Sequence, residues 1–237
     1  MSVRLVRDTL LAACVGLLLG VVFHMVVGAD QAAGGTAQPM PRPELAEHLS
    51  RSVMKADVVA CEVRRQGSVT IIDAPFDEDS SRPTIVTNAH VVQGAASATL
   101  SGARLGVTDG RVGPFLDKRD AAVLQAPESV AAESVGLEPA PHPSLGDPVV
   151  LAGFPGGTWT IQDGTISSVE LRTGWGGSSE VLVIDVPIEQ GMSGGVVADL
   201  QGNAVGLIAA RDPGTGHAVA YPIEDVLNAP VGTTPGC

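Results

Sequence analysis

Three short segments place a histidine, an aspartate and a serine at the edges of short apolar runs. His90 lies in TNAHVV, Asp120 directly precedes the run AAVLQ, and Ser193 lies in GMSGG. A serine hydroxyl becomes a nucleophile when an imidazole accepts its proton, and a carboxylate on the other ring nitrogen holds that imidazole in one tautomer. The order histidine, aspartate, serine is one of three known for this geometry. We therefore predict a catalytic triad of His90, Asp120 and Ser193.

The residues next to these three refine the prediction. Glycines on both sides of Ser193 let the chain bend so that two backbone N–H groups converge on a developing oxyanion, and these would be the amides of Gly191 and Ser193. Asp117, three residues before Asp120, is the alternative third member of the triad.

The composition indicates which fold positions these residues. Apolar residues make up 44% of the chain but aromatic residues only 3%, and the 29 glycines and 17 prolines indicate many turns. Strand-like patterns recur between residues 58 and 125 and again between residues 148 and 221, with a proline-containing connection at 126–146. This distribution predicts an all-β fold of two six-stranded antiparallel β-barrels.

The pattern also divides the chain into four parts. Residues 1–29 form a transmembrane anchor or signal segment, and residues 30–55 form a linker with a short helix at 43–55. Residues 56–130 form the first β-barrel, and residues 131–237 contain the interdomain linker, the second β-barrel and a C-terminal tail.

The N-terminal segment predicts export. Arg4 and Arg7 precede an uncharged apolar run from Thr9 to Gly28, which is long enough for an N-terminal helix that spans a membrane. Small residues at 27–29 also suit a cleaved signal peptide. In both cases the rest of the chain lies outside the cytoplasm, either membrane-anchored and facing the periplasm or cell exterior, or secreted.

Charge and cysteine content restrict the possible ligands. A net charge of −12 disfavours nucleic-acid binding, and no histidine–cysteine spacing typical of a metal site or glycine motif typical of a cofactor site occurs. We therefore expect no metal and no cofactor. Cys14 lies in the apolar run, which leaves Cys61 and Cys237 either as a disulfide or as two unpaired thiols in an oxidising compartment.

The three motifs together resemble those of trypsin-like serine peptidases, most closely of the HtrA (DegP-like) branch. Further stretches in the same order as in that branch are Gly153–Gly157, Gly164–Ser168, Asp185–Gly195 and Gly216–Ala220. A segment with Cys61, Arg65, Gly67 and Ser68, and a C-terminal cysteine, are similar to actinobacterial membrane-anchored periplasmic peptidases implicated in acid resistance. The resemblance implies that Cys61 and Cys237 are bridged, as the corresponding cysteines are in that subgroup.

The chain also departs from the family pattern. Met192 stands where an aspartate or asparagine usually precedes the nucleophile, so activation by a newly freed N-terminal ammonium is not expected. No PDZ-like domain follows residue 230, so the peptide-sensing modules and cages of HtrA proteins are not implied. Matching of positions with tryptic members of the family places the specificity pocket at Pro187, Ile208, Ala209 and Ala210. These residues predict a small or medium apolar substrate side chain.

Peptide-bond hydrolysis through an acyl-enzyme, acting on protein or peptide substrates, is the function that these residues predict. Two alternatives remain at this stage. One is a catalytically silent double barrel that binds or scaffolds other proteins, and the other is an enzyme that stays latent until a partner, acid or oxidation arranges the Gly191 loop.

Overall fold

A computed structural model describes residues 38–237 except 77–82, 103, 126, 128–129, 131–132 and 175–176. The predicted anchor or signal segment at 1–29 lies outside the described residues. None of the helices in the described part is long and apolar enough to cross a membrane.

The first barrel closes six antiparallel strands in the order β1-β2-β3-β6-β5-β4. Its strands are β1 (Val53–Ala60), β2 (Val63–Ile72), β3 (Thr84–Thr87), β4 (Ser97–Gly102), β5 (Gly106–Phe115) and β6 (Ala122–Gln125). Helix α1 (Arg42–Ser50) precedes the barrel, and the four-residue helix α2 (Ala89–Val92) follows β3 directly. Alternating buried positions along β1 supply one wall of the barrel core, as the period of a strand requires.

The second barrel repeats the architecture in the order β10-β11-β12-β9-β8-β7. Its strands are β7 (Pro148–Gly153), β8 (Thr160–Gly174), β9 (Gly177–Pro187), β10 (Val196–Ala198), β11 (Ala204–Arg211) and β12 (His217–Pro222). A 3-10 turn (Pro155–Gly157) follows β7, and helix α3 (Ile223–Leu227) follows β12. The predicted pair of six-stranded antiparallel barrels is confirmed.

The helix predicted at 43–55 ends earlier than expected. Helix α1 stops at Ser50, and β1 already begins at Val53. Val53 and Met54 lie opposite Thr70 and Val69 of β2 and are fully buried. The helical spacing of apolar residues was therefore misleading here, because pairing and burial in the barrel outweigh a weak local helix preference.

Three apolar clusters organise the core. One fills the first barrel around Met54, Ile71 and Leu100, and another fills the second barrel around Leu151 and Ile184. The third joins the two barrels and includes Ile72, Val86, Val196, Leu207 and Tyr221. Because this shared cluster packs the barrels against each other, loops from both barrels are held at one cleft.

A disulfide joins Cys61, in the β1–β2 turn, to the C-terminal Cys237. The Cα atoms lie 5.5 Å apart, within the usual range for a bridged pair. The tail before Cys237 runs along the first barrel, where the Pro230 carbonyl accepts from the Asp117 amide and the Gly232 amide donates to the Phe115 carbonyl, each at 2.8 Å. The disulfide therefore fixes the tail next to the strand end that leads to Asp120.

Removal of this bridge is expected to lower stability. The two cysteines are 176 positions apart, and closure of a loop of that length corresponds to roughly 5 kcal/mol of unfolded-state entropy in the chain-entropy model. We expect Cys237→Ser to lower the free energy of unfolding by up to about this amount, measured by denaturant titration. Reductant should destabilise the wild-type protein to the same extent and leave Cys237→Ser unchanged. A wild-type unfolding curve that reductant does not move would contradict the prediction.

Candidate active site

His90 and Asp120 form a paired unit at the end of the first barrel. His90 Nδ1 lies 2.5 Å from Asp120 Oδ2, and the His90 backbone N–H donates to Asp120 Oδ1 at 2.9 Å. The Asn88 side-chain amide donates to the Asp120 backbone carbonyl at 2.6 Å. Asp120 is only 9% exposed, so its carboxylate is held by these donors rather than by solvent. Because Nδ1 faces a carboxylate, it carries the proton, and Nε2 is left as the acceptor.

The alternative third member, Asp117, takes no part in this unit. It is exposed, and its backbone amide bonds to Pro230 in the C-terminal tail. Asp120, and not Asp117, is the carboxylate that reaches His90.

Tyr221 of β12 brings the second barrel close to Asp120. Burial, and next the negative charge of Asp120, raise the pKa of Tyr221 above its ordinary value. The phenol therefore stays neutral at neutral pH and adds no second negative charge beside the His90–Asp120 pair.

Ser193 lies in a tight turn between β9 and β10 that packs against the first barrel. Gly67 separates this turn from helix α2: a Cβ atom on Gly67 would lie 2.8 Å from the side chain of Val91 and 3.1 Å from the Ser193 carbonyl oxygen. Val91 directly follows His90, so the nucleophile turn and the histidine helix flank the same residue. The fold thus brings the Ser193 turn and the His90–Asp120 pair to one cleft.

The Ser193 hydroxyl points to a backbone carbonyl in this structure. Ser193 Oγ donates to the Ala209 carbonyl at 3.4 Å, which is long for a hydroxyl donor. Such a bond is weak and easily exchanged, and catalytic hydrogen bonds often tighten only when substrate is bound. Across the residues that the structure describes, Ser193 Oγ makes no hydrogen bond to His90, so the hydroxyl must leave the Ala209 carbonyl before it can donate to Nε2.

The two amides predicted to bind an oxyanion have no acceptor within the described part of the chain. Neither the Gly191 N–H nor the Ser193 N–H donates a hydrogen bond there, although neighbouring amides at 192 and 194 do. Two unused N–H donors beside a serine hydroxyl are what an oxyanion hole requires.

Met192 anchors the turn by burial instead of by charge. Its side chain is fully buried in the core of the second barrel, and a Cβ atom on Gly153 would lie 2.9 Å from its sulfur. The position that the resemblance associates with an ammonium-binding aspartate therefore holds an apolar side chain, for which the glycine at 153 leaves room.

A cavity lies beside Ser193, and the predicted specificity pocket stays a prediction. The cavity has a volume of about 410 Å³ and is lined by Ile188, Glu189, Gln190, Ser193 and Arg211. None of the four predicted residues lines it. Ile208 is fully buried in the second-barrel core, Ala209 is buried and contributes its carbonyl, Ala210 is exposed, and Pro187 lines a neighbouring cavity.

Two charged side chains line this cavity. Glu189 and Arg211 are both exposed, and in the described residues neither side chain has a hydrogen-bond or ion-pair partner. The sequence reasoning missed them because the residues that line the pocket come from two segments, before β10 and at the end of β11. The only local indication that such residues line the cavity is that Glu189 and Gln190 directly precede the GMSGG turn.

Among the described residues, no group of three or more histidine, cysteine, aspartate or glutamate side chains is arranged to hold a metal ion. The arrangement contains a paired imidazole and carboxylate, a serine hydroxyl and two free amides, which are the parts needed for acyl transfer.

A family model described as the trypsin-like peptidase domain matches residues 75–207, which include all three predicted triad residues. The chain belongs to the trypsin-like peptidase family. The protein is accordingly a serine endopeptidase that acts on protein or peptide substrates. A comparison with curated protein sequences found no match.

Solved structures similar to this trypsin-like peptidase support the fold. The active form of the Rv3671c protease from M. tuberculosis is 24% identical with a TM-score of 0.69, and the match covers 85% of this chain and 93% of that one. The serine endoprotease from Yersinia pestis is 22% identical with a TM-score of 0.64 (80% and 65% covered), and the HtrA-type protease AlgW with tripeptide is 22% identical with a TM-score of 0.66 (79% and 64% covered). The trypsin-like peptidase therefore shares its fold with HtrA-type proteases, as the resemblance of its motifs implied.

Proposed function

We propose that the protein hydrolyses peptide bonds outside the cytoplasm through an acyl-enzyme formed on Ser193. The observation that carries the proposal is the pairing of His90 with Asp120 through both a ring N–H and a backbone N–H. This pairing leaves Nε2 as the ring nitrogen that can accept the proton of Ser193.

The reaction proceeds in two steps, acylation and then deacylation of Ser193. Ser193 Oγ attacks the carbonyl carbon of the substrate while its proton passes to His90 Nε2, and the Gly191 and Ser193 amides bind the resulting oxyanion. His90 then protonates the leaving amine as the C–N bond breaks, which leaves an ester on Ser193. Water attacks this ester while its proton passes to His90 Nε2, and His90 then returns that proton to Ser193 Oγ as the ester C–O bond breaks and the acid leaves. No cofactor takes part.

The Ala209 carbonyl has a further role in this scheme. It accepts from Ser193 Oγ in the absence of substrate. When the hydroxyl turns to His90, this carbonyl becomes free to accept a backbone N–H of the substrate, which helps to align the scissile bond.

Export of the peptidase rests on two features of the chain. The apolar run Thr9–Gly28 follows two arginines, and the pairing of Cys61 with Cys237 is typical of proteins in oxidising compartments. Residues 1–29 then serve either as a membrane anchor or as a signal peptide.

A fluorophosphonate probe tests the proposal, because it modifies only an activated serine. We expect stoichiometric labelling of Ser193 in the wild-type protein, located by peptide mapping, and loss of labelling in His90→Ala. Ser144→Ala is a matched control, since Ser144 is exposed and does not line the cavity beside Ser193, and it should label normally. Folded wild-type protein that is not labelled would favour the catalytically silent double barrel.

The same labelled sample tests the location. When it is prepared from intact cells, recovery of peptides from residues 1–29 in the membrane fraction supports an anchor. A labelled protein that begins near residue 30 in the medium or periplasm supports a cleaved signal. Labelled protein confined to the cytoplasm would exclude export.

A further inference from the structure

The oxyanion hole depends on the orientation of the Gln190–Gly191 peptide group, which carries the Gly191 N–H. The carbonyl and N–H of one trans peptide point in opposite directions. The Gly191 N–H therefore faces the cleft only while the Gln190 carbonyl faces away from it. Because glycine has no Cβ atom, few steric barriers oppose rotation of the peptide groups next to Gly191. Contacts from outside the turn must therefore maintain this orientation.

The loop after β7 supplies the first of these contacts. The Gly156 N–H donates to the Gln190 carbonyl at 2.9 Å, which directs the Gly191 N–H to the opposite side. The same loop blocks any side chain at 191, because a Cβ atom there would clash with the Phe154 carbonyl oxygen. Gly191 itself has a φ of 101°, a conformation that residues with a Cβ rarely adopt.

Ser68 of β2 supplies the second contact. Its hydroxyl donates to the Gly191 carbonyl at 2.8 Å and accepts from the Phe154 N–H at 3.0 Å. Its backbone N–H also donates to the Ser193 carbonyl at 2.7 Å. Ser68 is fully buried, so water does not compete for these bonds. One side chain of the first barrel thus joins the Gly191 carbonyl to the Phe154 N–H in the loop after β7 of the second barrel.

We propose that Ser68 is a positioning residue for the oxyanion hole. It holds the Gly191 carbonyl directly and, through the Phe154 N–H, the loop whose Gly156 N–H binds the Gln190 carbonyl and so directs the Gly191 N–H to the opposite side. The proposal rests on the proposed function, since it concerns the amides that bind the oxyanion in that mechanism. Ser68 acts through Gly191 and does not touch the substrate. Its effect falls on the transition state, because the amides are used fully only when negative charge develops on the oxygen.

Kinetics of p-nitrophenyl acetate hydrolysis test the proposal without knowledge of the natural substrate. Loss of one oxyanion donor lowers kcat by roughly 10²–10³-fold. Because Ser68→Ala weakens the orientation of a donor without removing it, we expect about a 10–100-fold loss of kcat per titrated active site, with KM within about threefold. The inhibition constant of a peptide aldehyde, which forms a tetrahedral oxyanion, should rise by a similar factor.

Two further variants keep the result interpretable. Ser52→Ala is the matched control, since Ser52 is also fully buried and its hydroxyl donates to a backbone carbonyl, that of His48, at 3.1 Å. It should keep the wild-type kcat per site. Ser68→Cys keeps an atom at the position of the hydroxyl, somewhat larger and a much weaker donor, and replaces Ser68→Ala if the latter does not fold.

The outcomes separate the two proposals. Wild-type protein that hydrolyses the ester without a requirement for Ser193 would overturn the proposed function itself. Wild-type activity at Ser193, combined with a kcat per site in folded Ser68→Ala or Ser68→Cys within twofold of wild type, would overturn only the role of Ser68. A fall in the number of titratable sites with an unchanged kcat per site would show a purely structural role and would also overturn it.

Discussion

Replacement of Ser193 by alanine is expected to lower kcat for peptide hydrolysis by about 10⁶-fold, as in other serine peptidases in which one member of the nucleophile–base pair is lost. The loss is this large because no acyl-enzyme can form, while substrate binding and the two oxyanion amides remain. Folding should be unaffected, since within the described ranges the removed hydroxyl makes only the 3.4 Å bond to the Ala209 carbonyl. The measurement is hydrolysis of a fluorogenic peptide chosen from the cleavage products of denatured casein.

The exposed Ser144 again provides the control for this prediction. Ser144→Ala carries the same chemical change outside the cleft and should retain wild-type kcat and KM. Turnover by purified Ser193→Ala within tenfold of the wild-type rate would show that another group is the nucleophile.

Asp120→Asn is expected to lower kcat by about 10⁴-fold, although asparagine has nearly the same side-chain shape and the surrounding geometry stays intact. Both Asp120 oxygens accept N–H groups of His90, one from the ring and one from the backbone. An asparagine has only one acceptor oxygen, so its NH₂ group must face one of these donors. If it faces the ring, Nδ1 becomes the acceptor and Nε2 carries the proton, and the imidazole can no longer take the proton of Ser193.

Asp117→Asn is the matched control, because it makes the same substitution three residues away at an exposed carboxylate. We expect its kcat to stay within about twofold of wild type, in the range typical of exposed sites. A larger loss in Asp117→Asn than in Asp120→Asn would restore Asp117 as the third member of the triad. Both kcat and KM are measured with the peptide used for Ser193→Ala, and circular dichroism verifies folding.

The success and failure of the sequence interpretation follow from the range of the interactions involved. The strands were recognisable because Val, Ile and Thr recur with turn residues between them, and such patterns are local. The helix at 43–55 was extended too far, because Val53 and Met54 fit a helical spacing but pair with β2, some 16 residues later in the chain. A local pattern does not contain that pairing.

The cavity beside Ser193 shows the same limit. Its lining includes Glu189 and Arg211, which the sequence did not single out. In a strand, successive side chains point to opposite faces, so a small shift in register or a bulge changes which side chain reaches the cavity. Such an irregularity is present in β11, where the pairing with β12 shifts between Ile208 and Ala210.

The order of amino acids by itself determined the chemistry of this protein: an imidazole, a carboxylate and a hydroxyl at strand ends, and glycines where the chain must turn sharply around the hydroxyl. Only the tertiary structure decided which carboxylate meets His90, that Ser68 reaches across to Gly191, and that Ser193 rests on Ala209. The reason is that hydrogen bonds act over about 3 Å, whereas these partners are far apart in sequence. Their meeting depends on the closure of each barrel and on the apolar packing between the two, which are properties of the whole chain.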